Sequence, residues 1–399
     1  MATHGRGAVT RTSRPRDRRA QILLAASGLF YRSGYPNVST EEIAASVGIT
    51  AGALYRHFRS KEELLARTLS ESFDRAAVVT GRGGADLTQV VGDLAAISAR
   101  RRELGVLWTR ESRYLSSAVR APMRKHFFLF LDRLVDAIAA DRPEVGRRHA
   151  EVLAWCTLAV LTSPSYHDVA MSEDAAAALL TGLALAVCRT QVPTERGRDA
   201  GSGGGSAPGL PPGNRREALL VAAARMFAER GYQGVTTEEI GAAVGVSSAA
   251  LYRHFATKAD LLVTIVTRAT TAMQLAMSGS LARAGTPEAG LTNAAGAYLD
   301  FVMSHPDLVT VLVTESPSLP EDHRGRVRTI TQTYAGEWLR LLRAVRPELD
   351  RATALYRVHA VLTMVNDVAR TAPLREVTGL VGLVHTACMG ILDDSALMP

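Results

Sequence analysis

Two lysines, Lys61 and Lys258, lie in the first turn of a predicted helix in two similar segments of the chain. A cation in that turn opposes the helix dipole, whose positive end favours anions. The placement is understandable if a phosphate binds there, because the free backbone N–H groups of a helix start also favour anions. The chain has only three lysines, so two at equivalent positions indicate a shared anion-binding function.

The two segments are copies of one unit. The pentapeptide LYRHF occurs in both, and 25 of 48 positions are identical between residues 18–65 and residues 215–262 at an offset of 197. A weaker correspondence continues at an offset of 204, where Glu111 matches Glu315. A repeat of this length indicates a duplicated domain rather than the short period of a solenoid.

Each copy predicts three helices and the start of a fourth. In the first copy, residues 18–33 have apolar side chains at helical spacing, and Ser39 with Glu42 forms the pattern of a capping box. Gly48 permits a tight turn into a third helix over about residues 50–58. Two short helices joined through such a glycine predict a helix-turn-helix.

The residues common to both copies resemble the TetR family of bacterial transcription regulators. The shared pattern reads G-Y, V-S/T-T-E-E-I, V-G-I/V-S/T, A-L-Y-R-H-F and K-x-x-L-L in order along each copy. The rest of each unit resembles the family only in length and in helical apolar spacing. The resemblance implies an all-α fold with two TetR-like units in tandem. Each unit would be a three-helix helix-turn-helix DNA-binding domain followed by a helical domain that binds an effector and dimerises.

We therefore expect five segments along the chain. These are a first DNA-binding domain with a basic arm at residues 1–62, a helical domain at 63–190, a flexible linker at 191–214, a second DNA-binding domain at 215–259 and a second helical domain at 260–399. The linker contains GSGGGSAPGLPPGN, whose composition favours a flexible chain. This string is compatible with a natural linker and with an engineered tether between two subunits.

The resemblance also implies which residues contact DNA. The positions that hold phosphates in the family are Thr40, Tyr55, His57, Lys61, Thr237, Tyr252, His254 and Lys258. The candidates for base contacts are Thr50, Ala51, Gly52, Arg56, Ser247, Ser248, Ala249 and Arg253. Among these, only the two arginines could bind guanine through two hydrogen bonds. Alternatively, the tyrosines could be packing residues, the histidines could cap or fill locally, and the arginines could contact only phosphate or solvent.

A basic arm is expected ahead of the first helix. Arg14, Arg16 and Arg18 belong to it and could lie in a minor groove, and a solvated disordered tail is the alternative. The second unit has only Arg215 and Arg216 at the corresponding place. The two units are therefore expected to hold DNA unequally.

Composition is consistent with a protein that binds DNA in the cytoplasm. The net charge of +7 and the pI of about 9.6 favour a polyanionic partner. The three cysteines form no CxxC or Cys/His cluster, and the apolar runs are shorter than the roughly 20 residues of a membrane span. No spacing typical of a metal site, a cofactor-binding loop or a catalytic centre occurs, so we expect neither an enzyme nor a cofactor.

The helical domains contain polar and aromatic residues that could line a pocket for a small, mostly apolar effector. They are Trp108, Arg110, Glu111, Trp155, His167, His305, Trp338, His359, Asn366 and His385. A core or surface role is the alternative for each.

The leading functional prediction is a repressor that a small effector releases from its operator. The alternative is a ligand sensor that acts through a protein partner and has lost DNA binding. The units are expected to pair within one chain, with residues 148–170 and 175–189 against 351–370 and 375–392, or else two chains form a homodimer.

Overall fold

The computed structural model describes residues 15–81, 86–192 and 212–393. These residues form helices joined by turns, and they contain no β-strand. The predicted all-α fold with two units in tandem is confirmed. Most of the predicted linker lies outside the described residues.

Each unit has nine α-helices in its described part, and they correspond in order. The first unit contains α1 Pro15–Ser33, α2 Thr40–Ser46, α3 Ala51–Tyr55, α4 Lys61–Thr80, α5 Leu87–Arg100, α6 Leu104–Val106, α7 Ser117–Asp141, α8 Arg147–Thr162 and α9 Glu173–Cys188. The second contains α10 Arg215–Arg230, α11 Thr237–Ala243, α12 Ser248–Tyr252, α13 Lys258–Ala282, α14 Pro287–Ser304, α15 Pro306–Glu315, α16 Glu321–Val345, α17 Arg351–Arg370 and α18 Leu380–Leu392.

The third helix of the first unit is shorter than expected. It ends at Tyr55 rather than near residue 58, because the backbone N–H groups of His57 and Phe58 both donate to the carbonyl of Leu54 and close a turn. The turn places Phe58 in the core, where it is 1% exposed. Ser60 then caps α4 by accepting a hydrogen bond from the N–H of Glu63.

Each DNA-binding domain has a small core of its own. Ile22, Phe30, Leu54 and Phe58 form the centre of the first, and Leu219, Phe227, Leu251 and Phe255 that of the second. Helix α4 continues from this core into the helical domain, where Ala76 and Val79 are buried. Helix α13 does the same in the second unit. The predicted boundaries at residues 62 and 259 therefore fall in the first turns of continuous helices.

The helical domains of the two units share one continuous apolar core. Helices α8 and α9 of the first unit pack against α17 and α18 of the second as a four-helix bundle. The last helix begins at Leu380 rather than at residue 375, because Ala372–Glu376 forms a 3₁₀ turn and Gly379 takes a left-handed φ of 74° before the helix.

One described helix, α13, is long and apolar enough to cross a membrane by length and composition alone. In the structure its apolar residues Leu261, Leu262, Ile265 and Val266 lie in the core of the second DNA-binding domain.

Histidines from the two units meet beside the bundle. The rings of His167 and His359 stack with centroids 4.6 Å apart, and the ring of Tyr356 meets His167 edge-on at the same distance. Arg102 donates to the carbonyl of His167 at 2.5 Å. Burial lowers the pKa of His167 to about 2 and that of His359 to about 4. Both rings are therefore neutral at physiological pH.

Acidification should weaken this contact between the units. The pKa of each histidine in the folded protein lies below the unfolded value of about 6.5. Below pH 6.5 the unfolded chain therefore binds more protons than the folded one, and the free energy of unfolding decreases as the pH is lowered. Lowering the pH from 7.5 to 5 should cost about 2 kcal/mol per histidine. Urea unfolding at the two pH values measures this loss.

The variant His359→Phe keeps an aromatic ring in the stack and removes one titrating group. Its loss of stability on acidification should be smaller than that of the wild type. His126→Gln, on the exposed face of α7, is the matched control and should behave as the wild type. Equal losses of stability in His359→Phe and the wild type would show that protonation of His359 does not cause the loss.

Candidate DNA-binding surfaces

The helix-turn-helix of each unit is fixed by caps and one glycine. Ser39 and Glu42 form the expected capping box, and Thr236 and Glu239 form its equivalent in the second unit. Gly48 and Gly245 join the two helices with φ values of 67° and 73°, a conformation that favours glycine. The predicted turn chemistry is therefore present in both copies.

In each unit a residue with a hydroxyl side chain caps the start of the third helix. Thr50 Oγ1 accepts a hydrogen bond from the N–H of Ala53 at 3.2 Å, and Ser247 Oγ accepts one from Ala250 at 3.3 Å. Both cap residues are exposed. The neighbouring Ala51, Gly52, Ser248 and Ala249 are exposed or half-exposed, so each third helix presents a surface of small side chains.

A tyrosine–threonine pair recurs next to that surface with the same geometry. The hydroxyls of Tyr55 and Thr40 lie 3.2 Å apart, and those of Tyr252 and Thr237 lie 3.2 Å apart. Each tyrosine is 48% exposed, whereas both threonines are buried. The pair orients the phenol hydroxyl at the surface, so neither tyrosine is a core packing residue.

The arginines of LYRHF are exposed in both units. Within the described part of the chain, the guanidinium groups of Arg56 and Arg253 have no hydrogen-bond or ion-pair partner. His57 is half-buried and His254 is exposed. In the second unit a groove of about 230 Å³ is lined by Arg215, Leu219, Val246, Ala250, Arg253 and His254. Basic groups therefore converge on an accessible concave surface.

Lys61 and Lys258 have structural partners that the sequence did not reveal. Lys61 Nζ donates to the carbonyls of Tyr35 at 2.9 Å and Val38 at 2.8 Å, and Lys258 Nζ donates to that of Tyr232 at 2.5 Å. Each ammonium also lies over a tyrosine ring, 4.3 Å from the centroid of Tyr35 and 4.2 Å from that of Tyr232. Burial lowers the pKa of both lysines, although nearby carboxylates partly oppose this. Both lysines thus hold the turn after the first helix.

The residues expected to form the basic arm are partly helical, and their contact with a minor groove stays a prediction. Helix α1 begins at Pro15, so Arg16 and Arg18 belong to a helix rather than to an extended arm. Arg18 Nη1 donates to the carbonyl of Val47 at 3.0 Å, which ties α1 to the turn of the helix-turn-helix. Arg14 lies outside the described residues.

Two residues expected in an effector pocket lie instead beneath the first DNA-binding domain. Glu111 Oε2 accepts a hydrogen bond from the N–H of Tyr35 at 3.0 Å, and Arg110 pairs with Glu111. Arg110 Nη2 donates to the carbonyls of Phe30 at 3.2 Å and Tyr31 at 2.8 Å. The pair therefore fastens the helical domain to the end of α1 and to the turn that Lys61 holds.

The other candidates for effector contacts divide between the two units. Trp108 and Trp155 lie against Phe127 with ring centroids 5.1 Å and 5.5 Å away, in an aromatic cluster of the first unit. In the second unit, the hydroxyl of Tyr298 donates to Asn366 at 2.8 Å, and Trp338 is fully buried.

Four histidines complete the set of candidates. His167 and His359 form the contact between units described above. His305 precedes α15, with its ring 5.7 Å from that of Phe301. His385 is half-buried on α18, and its Nε2 lies 3.4 Å from the carbonyl oxygen of Thr292 on α14.

Comparison with known proteins supports this architecture. Residues 22–68 and 219–265 each match the family model "Bacterial regulatory proteins, tetR family", and residues 284–370 match the model "Tetracyclin repressor-like, C-terminal domain". The fold and the exposed basic surfaces therefore define a helix-turn-helix DNA-binding protein with two modules. The chain belongs to the tetR family of bacterial regulatory proteins and carries the family's N-terminal domain twice.

Several relatives are similar over part of the chain. The transcriptional activator FasR of Mycolicibacterium smegmatis is 32% identical over 93 residues, which are 23% of this chain and 42% of FasR. The transcriptional repressor KstR of the same organism is 27% identical over 184 residues, which are 42% of this chain and 88% of KstR. A TetR-family regulator from Bordetella parapertussis 12822 has a similar structure, with a TM-score of 0.44 and 20% identity over 47% of this chain and 99% of that one.

Replacing Lys61 should destabilise the first DNA-binding domain. Lys61→Ala removes the donor to two backbone carbonyls, and a buried polar group without a partner costs about 1–3 kcal/mol. Thermal unfolding of the purified variant measures this loss.

The third lysine of the chain supplies the matched control. Lys125 is exposed on α7, so Lys125→Ala should leave stability within about 0.5 kcal/mol of the wild type. Equal stability of the two variants would show that Lys61 does not hold the turn.

Proposed function

We propose that the chain is an effector-responsive repressor that binds one operator with its two modules as a single-chain pseudo-dimer. The observation that carries this proposal is the repetition of one exposed surface in both units. Each surface has an accessible tyrosine hydroxyl fixed by a threonine, followed by an arginine without a partner in the described residues. Such groups are suited to phosphate and base contacts on duplex DNA.

The proposed contacts follow the exposed groups. Tyr55, His57, Tyr252 and His254 would contact phosphates and set the register of each module. Thr40 and Thr237 would act by orienting the tyrosines, because both threonines are buried. Lys61 and Lys258 would contribute positive potential while each holds its turn. Thr50, Ala51, Gly52 and Arg56 would face bases, as would Ser247, Ser248, Ala249 and Arg253.

Pairing within one chain is supported by the shared core of the helical domains. Separating the units would expose the apolar surface between α8 and α17. Light scattering should give a mass near 42.7 kDa for this assembly. A doubled mass would indicate a homodimer with four modules instead.

The effector would bind in the helical domain of the second unit. Helix α17 places Asn366 beside Tyr298, and Trp338 and Tyr334 add buried aromatic surface. An apolar ligand with one hydrogen-bonding group would match these residues. The first unit has an aromatic cluster of its own, around Phe127.

Selection of bound DNA from a random pool tests the proposed function. Because the reading surfaces Thr50-Ala51-Gly52 and Ser247-Ser248-Ala249 differ, the selected site should have two unequal halves. Its affinity should fall steeply with salt, since phosphate contacts release counterions. Failure to enrich any sequence, with no salt-sensitive DNA binding, would overturn the proposal and favour a sensor that acts through a protein partner.

Replacing the exposed arginines separates base contacts from phosphate contacts. Arg56→Ala and Arg253→Ala should leave stability unchanged, because neither guanidinium has a partner in the described residues. If each arginine binds a guanine, its loss should cost about 1–3 kcal/mol at one base pair of the matching half-site. Titration of single-base operator variants measures the effect. Uniform weakening across all variants would assign the arginines to phosphate.

A further inference from the structure

One arginine of the first unit is inserted into the second. Arg113 lies in the 3₁₀ turn Ser112–Tyr114, and its Nη1 donates to Glu315 Oε1 at the end of α15. The arginine side chain is 11% exposed and that of Glu315 is 1% exposed. Arg113 is thus the buried counter-charge of a carboxylate that belongs to the other unit.

The second unit has a surface shaped for this arginine. A Cβ on Gly231 would lie 2.9 Å from Nε of Arg113, so a larger residue there would collide with the guanidinium. Gly231 ends α10 and has a φ of 78°, a conformation that also favours glycine. Arg113 therefore lies directly against the first helix of the second DNA-binding domain.

The first unit has no such requirement. Its equivalent carboxylate is Glu111, which pairs with Arg110 of the same unit. At the offset of 204, the position of Arg110 is Thr314 in the second unit and the position of Arg113 is Pro317. The second unit therefore lacks an equivalent of Arg110, and it has no equivalent of Arg113 that could pair with Glu111. The second unit thus depends on an arginine of the first, whereas the first does not depend on one of the second.

The same arginine lies at one end of a chain of contacts that joins the two modules. In the first module, Lys61 lies over the ring of Tyr35, which stacks on Tyr114 with centroids 5.6 Å apart. The guanidinium of Arg113 lies 5.4 Å from the centroid of the Tyr114 ring. Beyond it, the carboxylate of Glu315 raises the pKa of Lys258, against the larger lowering by burial. The steps from Lys61 to Glu315 are contacts between neighbouring side chains, and the one between Arg113 and Glu315 crosses from the first unit to the second, so movement of one unit relative to the other must disrupt it.

We infer that Arg113 is a positioning residue that completes the second DNA-binding domain and fixes its separation from the first. This inference rests on the proposed function, because the separation matters only if both modules bind one DNA. Removing one partner of a buried ion pair leaves an uncompensated charge, so the modules separate only at a substantial cost. The arginine therefore favours one spacing of the half-sites over others.

The first test measures the separation without DNA. Spin labels at Arg59→Cys and Ala256→Cys, which are equivalent exposed positions, report the distance between modules by electron–electron double resonance. Arg113→Ala should broaden the distance distribution relative to the unsubstituted chain. Arg124→Ala, an exposed arginine of α7, is the control and should leave the distribution unchanged. An unchanged distribution in Arg113→Ala would overturn the inference whether or not the protein binds DNA.

The second test uses the DNA selected by the wild-type protein, with its central spacer changed by two base pairs. Because the modules must meet successive major grooves, the wild type should bind the altered spacer about tenfold more weakly. Arg113→Ala should discriminate less than the wild type. Retention of the full spacing preference in Arg113→Ala would contradict the inference. No binding by the wild type would instead contradict the proposed function.

An arginine supplied from within the second unit separates the positioning role of Arg113 from its contribution to stability. In Arg113→Ala/Thr314→Arg, the second unit receives an arginine where the first unit has Arg110. This double variant should regain thermal stability lost in Arg113→Ala, while its spacing preference stays relaxed. If restored stability also restored the spacing preference, Arg113 would have only a structural role within the second module.

Discussion

The continuous apolar core of the two helical domains is the constraint on which the rest of the structure depends. Apolar burial favours any close arrangement, but helices α8, α9, α17 and α18 pack as a four-helix bundle, which fixes the relative orientation of the units. Helices α4 and α13 begin in the DNA-binding domains and end in this core. Each of these two helices therefore runs without a break from a DNA-binding domain to the bundle.

The first DNA-binding domain is attached to its helical domain by charged side chains as well as by a helix. In the first unit Glu111 binds the N–H of Tyr35, whose carbonyl accepts a hydrogen bond from Lys61. The turn after α1 is thus held from both sides, by a carboxylate of the helical domain and by an ammonium of α4. The second unit preserves the lysine and the carboxylate but not the arginine beside it. The carboxylate of Glu315 is held differently from that of Glu111: its Oε1 pairs with Arg113 of the other unit, and its Oε2 has no hydrogen-bond partner among the described residues.

The fold was predictable from local patterns, and the contacts between distant residues were not. Capping boxes, turn glycines and helical apolar spacing are local signals, so the helices around Ser39 and Gly48 were correctly expected. The placement of Lys61 against the helix dipole is unusual and indicated that this residue has a specific role. Its carbonyl partners could not be identified from the sequence, because they lie 23 and 26 residues away. Arg113 gave no signal, since a single arginine in a turn has no pattern. The one indication in the sequence is that the second unit has Thr314 where the first has an arginine. This indicates a missing counter-charge only once Glu315 is known to be buried.

The contact of Arg113 with Glu315 occurs in one direction only, and this asymmetry is possible because the two units are fused in one chain. In a symmetric homodimer, a contact from residue i of one subunit to residue j of its partner is made twice. A substitution that improves one copy of such a contact must be tolerated in the other. In this chain Arg113 has Pro317 as its counterpart, and Arg110 has Thr314, so the two junctions differ without conflict. The same freedom applies to the reading surfaces, where Gly52 and Ala249 occupy equivalent positions. The one-sided contact of Arg113 and the difference between the two third-helix surfaces are thus two consequences of one covalent connection, which removes the requirement that both halves carry the same residues.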